Sequence, residues 1–208
     1  LREVETAAAL AEDTKTVISG GAFVDDIVSL VERLKAGMAA RDRPWRAVIG
    51  IVRGGVFPAQ RVAEALGIEY REISISYYRG TVRGTGPMVL KALADKRKGE
   101  GLLVVDDVID SGGTAICVRR MLPRCDLAAI YTKPAGLSAV VSEWGSAPFC
   151  GRQMDDKWIV FPWDQPDWDI AAEKLIAVFR EKISGQVPGA AGSQAWTDPD
   201  QGASRDGP

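Results

Sequence analysis

The chain has 208 residues, 46% of them hydrophobic and 26% charged, enough to bury one sizeable core in a single domain with at most a small insertion. Its 26 basic and 28 acidic residues leave a net charge of −2, which gives no support for a nucleic-acid partner. No apolar run approaches the length of a membrane span, and with no histidine in the chain any proton transfer falls to Asp, Glu, Lys, Tyr or water.

Residues 1–16 mix Glu3, Glu5, Glu12 and Asp13 with alanines, unlike a secretory signal or an acid-poor transit peptide, and are read as a leader of uncertain role. Cys117, Cys125 and Cys150 are scattered without metal-ligand spacing, which points to reduced thiols in a reducing compartment, the cytoplasm. Between residues 23 and 38, Val24, Ile27, Val28, Val31 and Leu34 recur at the three-and-four spacing of an amphipathic helix. Ala47 to Val52 is apolar throughout and reads as a buried strand. It ends on Arg53, Gly54 and Gly55, where glycines permit dihedrals closed to other residues and a guanidinium can grip phosphate oxygens in a bidentate way. A plain glycine turn beside a surface arginine has the same composition; the position at a strand's C-terminal end favours the anion site.

Residues 56–66 read as a helix and residues 69–76 as a strand with alternating Ile73 and Ile75. From Tyr77 to Lys98 the periodicity fails, and Tyr77-Tyr78-Arg79-Gly80-Thr81-Val82-Arg83-Gly84 is glycine-rich and longer than an ordinary connection. Such a loop is a lid or slack. Arg79 and Arg83 either reach an anion or are merely solvated.

Leu102 to Val105 forms a second fully apolar strand, followed by Asp106 and Asp107 at its C-terminal edge, where open α/β sheets place their ligands. Asp110, Ser111, Gly112, Gly113 and Thr114 then lead into the apolar run Ala115 to Val118, so that backbone N–H groups at a helix start would point at a phosphate. Two carboxylates about 5 Å apart repel by roughly 3 kcal/mol at an effective dielectric of 20. A divalent cation resolves that conflict, and Mg²⁺ typically binds through one or two carboxylates plus substrate phosphates. Acids above and amides below point to a phosphorylated sugar. A Walker loop is excluded, since no Gly-x-x-x-x-Gly-Lys-Ser/Thr occurs in the chain.

Residues 128–131 form a further strand, followed by Lys133-Pro134-Ala135-Gly136. Residues 156–164 are aromatic and proline-rich where an ordinary helix should not be. Trp158 could stack on a nucleobase, and the Lys133 ammonium can donate to a 6-oxo group but not to a 6-amino group. Alternatively the tryptophans anchor the core and Lys133 is a surface charge; residue types alone leave both open. Residues 169–183 carry Ile170, Leu175, Ile176, Val178 and Phe179 among charges and predict a packed helix, while residues 185–208 have little to bury and predict a flexible tail. The βαβ alternation predicts a mainly parallel twisted sheet flanked by helices.

The run from Leu102 to Thr114 resembles the PRPP motif of the type I phosphoribosyltransferases, which attach a base to 5-phosphoribosyl 1-pyrophosphate (PRPP). The resemblance implies that Asp106 and Asp107 hold the ribose hydroxyls directly or through Mg²⁺. It implies that Asp110 to Thr114 cradle the 5′-phosphate, with Asp110 near N7 of a purine as general base. Ile49 to Ala59 looks like the pyrophosphate loop, although many members have Ser where this chain has Val52. The resemblance also implies that the loop after β-strand residue Ser76 is a lid, with Ser76 and Tyr77 or Tyr78 at its base. Lys133-Pro134-Ala135-Gly136 and the run from Trp158 to Asp164 look like the xanthine-guanine branch. There the lysine meets O6, the tryptophan stacks on the ring, and the backbone of Ile159 faces the 2-position. The match spans residues 17–184, with a hood at about 134–165, and related enzymes are homo-oligomers, dimers or tetramers. Lys157 in place of Thr, a different lid and a longer stretch at 142–153 are departures, and they leave the 2-position preference open. The rival readings are a phosphoribosyltransferase for adenine, orotate or uracil, and a PRPP-sensing regulator on the same fold.

Overall fold

The computed structural model describes residues 14–76, 88–89 and 99–184. The tail at 185–208, most of the leader, and Tyr77, Tyr78, Arg79 and Arg83 of the expected lid lie outside the described residues. In chain order the elements are β1 (Lys15–Val17), α1 (Gly20–Ala39), β2 (Ala47–Val52), α2 (Val56–Leu66), β3 (Glu69–Ser76), β4 (Met88–Val89), β5 (Leu102–Ile109), α3 (Gly113–Met121), β6 (Asp126–Thr132), α4 (Pro134–Trp144), β7 (Phe149–Gln153), β8 (Trp158–Val160), a 3₁₀ turn (Pro162–Asp164) and α5 (Trp168–Ser184).

Six strands form one sheet in the order β4-β3-β2-β5-β6-β7, parallel except for the β3–β4 pair. The buried strands sort their apolar residues by period two onto opposite faces. Val48, Leu103, Val105, Ala128 and Ile130 join the core with Phe23, Val24, Ile27, Leu30, Val31 and Leu34 of α1 and Phe179 of α5. Ala47, Ile49, Ile51, Leu102, Val104, Leu127 and Ala129 join the other core with Ala115 and Val118 of α3 and Val140 of α4. Near-continuous apolar runs were therefore the right signature, because both faces are covered.

Local signals account for where the helices start and stop. Ser19 caps α1, its hydroxyl accepting the Ala22 N–H at 3.3 Å. Gly67, at φ 65°, ends α2 in the left-handed conformation that glycine adopts without a Cβ penalty. Pro134 occupies the first turn of α4, where its missing N–H costs nothing.

The strand order places the site. The chain winds outward through β2, β3 and β4, returns to lay β5 beside β2, and then winds the other way through β6 and β7. The reversal lies between β2 and β5, and the crevice beyond their C-terminal ends is where such sheets bind ligands. The recorded β2–β5 pairing runs from Ala47↔Leu102 to Gly50↔Val105, so Asp106 and Asp107 sit just past it.

Much of the expected hood belongs to the main layers: α4 lies over the sheet with α3, and β7 is its edge strand. A separate two-stranded parallel sheet pairs β8 with β1, in register Lys15↔Trp158 to Val17↔Val160. It is tied to the core by Phe161, which stacks on Trp163 with ring centroids 4.5 Å apart and meets Phe23 edge-on.

Candidate active site

Three strand ends converge at the crevice. From β2 the chain turns through Arg53, Gly54 and Gly55, with the Gly55 N–H donating to the Ile51 carbonyl at 2.9 Å. The Val52–Arg53 peptide is cis. Gly55 passes so close to the sheet that a Cβ there would lie 2.6 Å from the Val105 carbonyl oxygen. Gly54 faces the Asp107 carboxylate, and a Cβ on it would overlap both carboxylate oxygens and lie 2.5 Å from Cγ. The Arg53 side chain is exposed at the mouth.

The acid pair is held by its own backbone: the Asp107 N–H donates to Asp106 Oδ1 at 3.1 Å and the Val108 N–H to Asp107 Oδ1 at 2.9 Å. Burial, and then repulsion by Asp107, push the Asp106 carboxyl well above the usual carboxylate range. Asp107 is also raised, chiefly by burial, with the charge of Asp164 adding to it. Asp164 was not singled out from the sequence. It sits in the 3₁₀ turn, where its Oδ2 accepts the Phe161 N–H at 2.9 Å, and the visible signal for it was an acid at the third position of a proline-led turn.

The cradle follows. Gly112, at φ 82°, is the N-cap residue of α3, so the loop from Asp110 leads directly into a helix N-terminus, a position suited to an anion. Ser111 is exposed in that loop.

Lys133 lies at the end of β6, beside the cradle. Its N–H donates to the Ile109 carbonyl at 3.0 Å, and its Nζ lies 3.1 Å from Asp110 Oδ1. The residue is only 5% exposed, which removes the surface-charge reading. Trp158, 65% exposed, is not a core anchor, whereas Ile159 is buried. The segment before β8 is tied to the lysine's strand by the Met154 N–H, which donates to the Thr132 carbonyl at 2.9 Å. Beneath that strand, the buried Tyr131 hydroxyl donates to Asp26 Oδ2 at 2.8 Å, and Arg152 Nη2 pairs with the same carboxylate at 2.8 Å. No local pattern reveals this network, because its members come from α1, β6 and β7.

The structure thus brings together Gly54 with Asp107 and Asp110 with Lys133, and sets Asp106 and Ser111 to Thr114 beside them. Of the expected lid, only Ser76 falls within the described residues, as the last residue of β3.

The acid pair, the Asp110–Thr114 loop and the second glycine loop lie together at the switch-point crevice, where such sheets bind ligands. The model of the phosphoribosyl transferase domain matches residues 20–165, and the chain belongs to that family of enzymes. A xanthine-guanine phosphoribosyltransferase of Nitratidesulfovibrio vulgaris (strain DP4) is 41% identical over 122 residues, 58% of this chain and 70% of that protein. Among solved structures, a purine phosphoribosyltransferase from Pyrococcus horikoshii Ot3 superposes with a TM-score of 0.56 at 27% identity, covering 73% of this chain and 95% of that one. The xanthine-guanine-hypoxanthine phosphoribosyltransferase of Helicobacter pylori shares the fold, with a TM-score of 0.55 at 20% identity over 77% of this chain and 98% of its own.

Proposed function

We propose that the protein is a purine phosphoribosyltransferase of purine salvage, transferring the 5-phosphoribosyl group of PRPP to N9 of guanine, xanthine or hypoxanthine and releasing pyrophosphate. The observation that carries this reading is the buried Lys133 ammonium, 3.1 Å from Asp110 Oδ1 at the edge of the phosphate cradle. A buried cation with three donors beside a carboxylate suits a base that offers an acceptor at the 6-position and a proton near N7. Adenine, whose 6-amino group only donates there, would offer the ammonium no acceptor and set two donors against each other.

Asp106 and Asp107 would take the ribose hydroxyls. Their donor set is all oxygen, which fits Mg²⁺, an ion that favours one or two carboxylates together with substrate phosphates, and a cation there would offset the repulsion of Asp106 by Asp107. When bound, Mg²⁺ would neutralise charge on the departing pyrophosphate.

Asp110 to Thr114 would hold the 5′-phosphate through the first-turn amides of α3, and Arg53, Gly54 and Gly55 would hold the pyrophosphate. As C1′ gains oxocarbenium character, Asp110 would take or guide the base's proton while Lys133, Trp158 and the Ile159 backbone keep the ring in line. Ser76, Tyr77, Tyr78, Arg79 and Arg83 would form a lid that excludes water. The scattered cysteines support a cytoplasmic protein, and the family resemblance supports a homo-oligomer of two or four chains. No helix among the described residues is long and apolar enough to cross a membrane.

The test is to incubate the protein with PRPP, Mg²⁺ and, separately, guanine, xanthine, hypoxanthine, adenine, uracil and orotate, following pyrophosphate and nucleotide formation. Turnover confined to 6-oxopurines is expected. Turnover with adenine, uracil or orotate instead, or tight PRPP binding with no turnover on any base, overturns the reading, the latter in favour of a PRPP-sensing regulator.

A further inference from the structure

Two segments that the sequence separates meet at Gly136. It lies in the first turn of α4, and a Cβ on it would overlap the carbonyl oxygens of both Ile109 and Asp110 and come within 2.9 Å of the Asp110 carbonyl carbon. Backbone, unlike the far end of a flexible side chain, cannot swing aside. One turn on, Ala139 Cβ would lie 2.8 Å from a Cβ at Gly112, and the Gly136 carbonyl oxygen 3.2 Å from it. At the other end of the same contact the Lys133 N–H donates to the Ile109 carbonyl at 3.0 Å. The start of α4 is therefore pressed onto the loop that opens the phosphate cradle along its whole length. Lys133 rides on one side of this seam and Asp110, Ser111 and Gly112 on the other.

We infer that Gly136 is a positioning residue: by having no side chain it sets the spacing between the Lys133 ammonium and the Asp110 carboxylate, and so between the base subsite and the phosphate cradle. The inference rests on the functional reading above. Its physical content is that the two loops form one rigid body at this seam, because their backbones are in van der Waals contact with nothing between them to yield. A methyl group at 136 would have to part the α4 start from the Asp110 carbonyl. A displacement on the order of 1 Å can cost about 10²-fold in rate when it moves a substrate-positioning group.

The experiment compares the full-length chain with Gly136→Ala, Lys133→Met and the double variant. It measures PRPP affinity by calorimetry in the presence of Mg²⁺, kcat/KM for the preferred purine, and melting temperature. Gly136→Ala is expected to lose about 10²-fold in kcat/KM and to weaken PRPP binding severalfold, since the Asp110 carbonyl belongs to the cradle loop. In the Lys133→Met background the same substitution should cost much less, because the group it displaces is gone. Such non-additivity is what coupled residues give, and a merely structural role would not produce it. Costs that simply multiply, or a Gly136→Ala enzyme as active as the parent, overturn the inference. Should Gly136→Ala fail to fold, Ala139→Val presses on Gly112 from the same helix, and its expected result is a raised KM for PRPP at near-parental melting temperature; an unchanged KM overturns the inference. A parent chain inactive on every base defeats the functional reading instead, and the PRPP affinities then still decide whether α4 shapes the cradle.

Discussion

Lys133 Nζ lies 3.1 Å from Asp110 Oδ1, joining the end of β6 to the loop after β5. The pair is unequal: the lysine side chain is 6% exposed and the aspartate 54%. The aspartate therefore keeps water on one flank, from which a base can approach, while the ammonium has little to solvate it besides that carboxylate. An incoming 6-oxopurine would replace part of the pairing by giving O6 to the lysine, leaving Asp110 to act on the ring nitrogen.

Asp110→Asn tests this arrangement. The amide cannot accept a proton from the base, and turnover should fall by about 10²- to 10⁴-fold with a modest loss of PRPP affinity. The buried lysine also loses its counter-charge, but the aspartate is more than half exposed, so the melting temperature should drop only by the few degrees that about 1 kcal/mol brings. Steady-state kinetics with calorimetric PRPP binding read both parts, and unchanged turnover removes Asp110 from the proton's path.

Trp158→Ala separates stacking from packing. At 65% exposure the ring buries little in the free protein, so thermal stability should barely change. Losing a base-stacking contact of about 1–3 kcal/mol should raise KM for the purine roughly 5- to 150-fold. A large loss of stability with unchanged KM would return Trp158 to a structural role.

The strand, loop and helix start from Leu102 to Ala115 were legible because they are contiguous, although the strand runs on past Val105 through both acids to Ile109. The parallel sheet was legible for the same reason, each buried strand being an unbroken apolar run. What could not be read is whatever the sheet order brings together. Nothing in Lys133-Pro134-Ala135-Gly136 says that Gly136 faces the Asp110 carbonyl, or in Arg53-Gly54-Gly55 that Gly54 faces Asp107. Four short strands also lack a sequence signal, among them Met88–Val89 and Trp158–Val160, which have two and three residues. Lys15–Val17 is too short to show alternation, and Phe149–Gln153 is interrupted by Gly151, where a Cβ would lie 2.8 Å from the carbonyl oxygens of both Asp26 and Ile130. Tertiary contact overrode propensity at that glycine.

The acid pair predicts an unusual pH dependence. Burial, then the neighbouring charge, hold Asp106 above its ordinary value of 3.8 in the folded protein. A carboxyl raised by folding disfavours the fold once it is ionised. That cost is fully present above the raised pKa, shrinks as pH falls through it, and vanishes below 3.8, where both states are protonated. Asp106→Asn removes the charge and can still accept the Asp107 N–H. The ligand-free variant should therefore melt higher than the parent at neutral pH. The difference should close as the pH is lowered toward 4, while PRPP affinity in Mg²⁺ falls. A variant that melts lower than the parent at neutral pH would falsify the account of a strained pair awaiting a cation.

Gly54→Ala addresses the meeting of the two loops at the switch point. The new Cβ would overlap the Asp107 carboxylate, and the side chain can yield only by rotating away from the Val108 N–H that it accepts at 2.9 Å. Alternatively the loop retreats and carries Arg53 outward. Either movement breaks the alignment between the groups meant for the ribose and those meant for the pyrophosphate, which are the two ends of the bond to be broken. The expected result is a loss in kcat/KM for PRPP of about 10²-fold, with the melting temperature little changed, because the crowding falls on a side chain at the crevice rather than in the core. Asp107→Gly in the same background leaves the methyl group nothing to strike, so Gly54→Ala should cost little further there. Steady-state kinetics on the four proteins of that cycle decide the matter: if the two losses multiply, Gly54 acts on something other than Asp107.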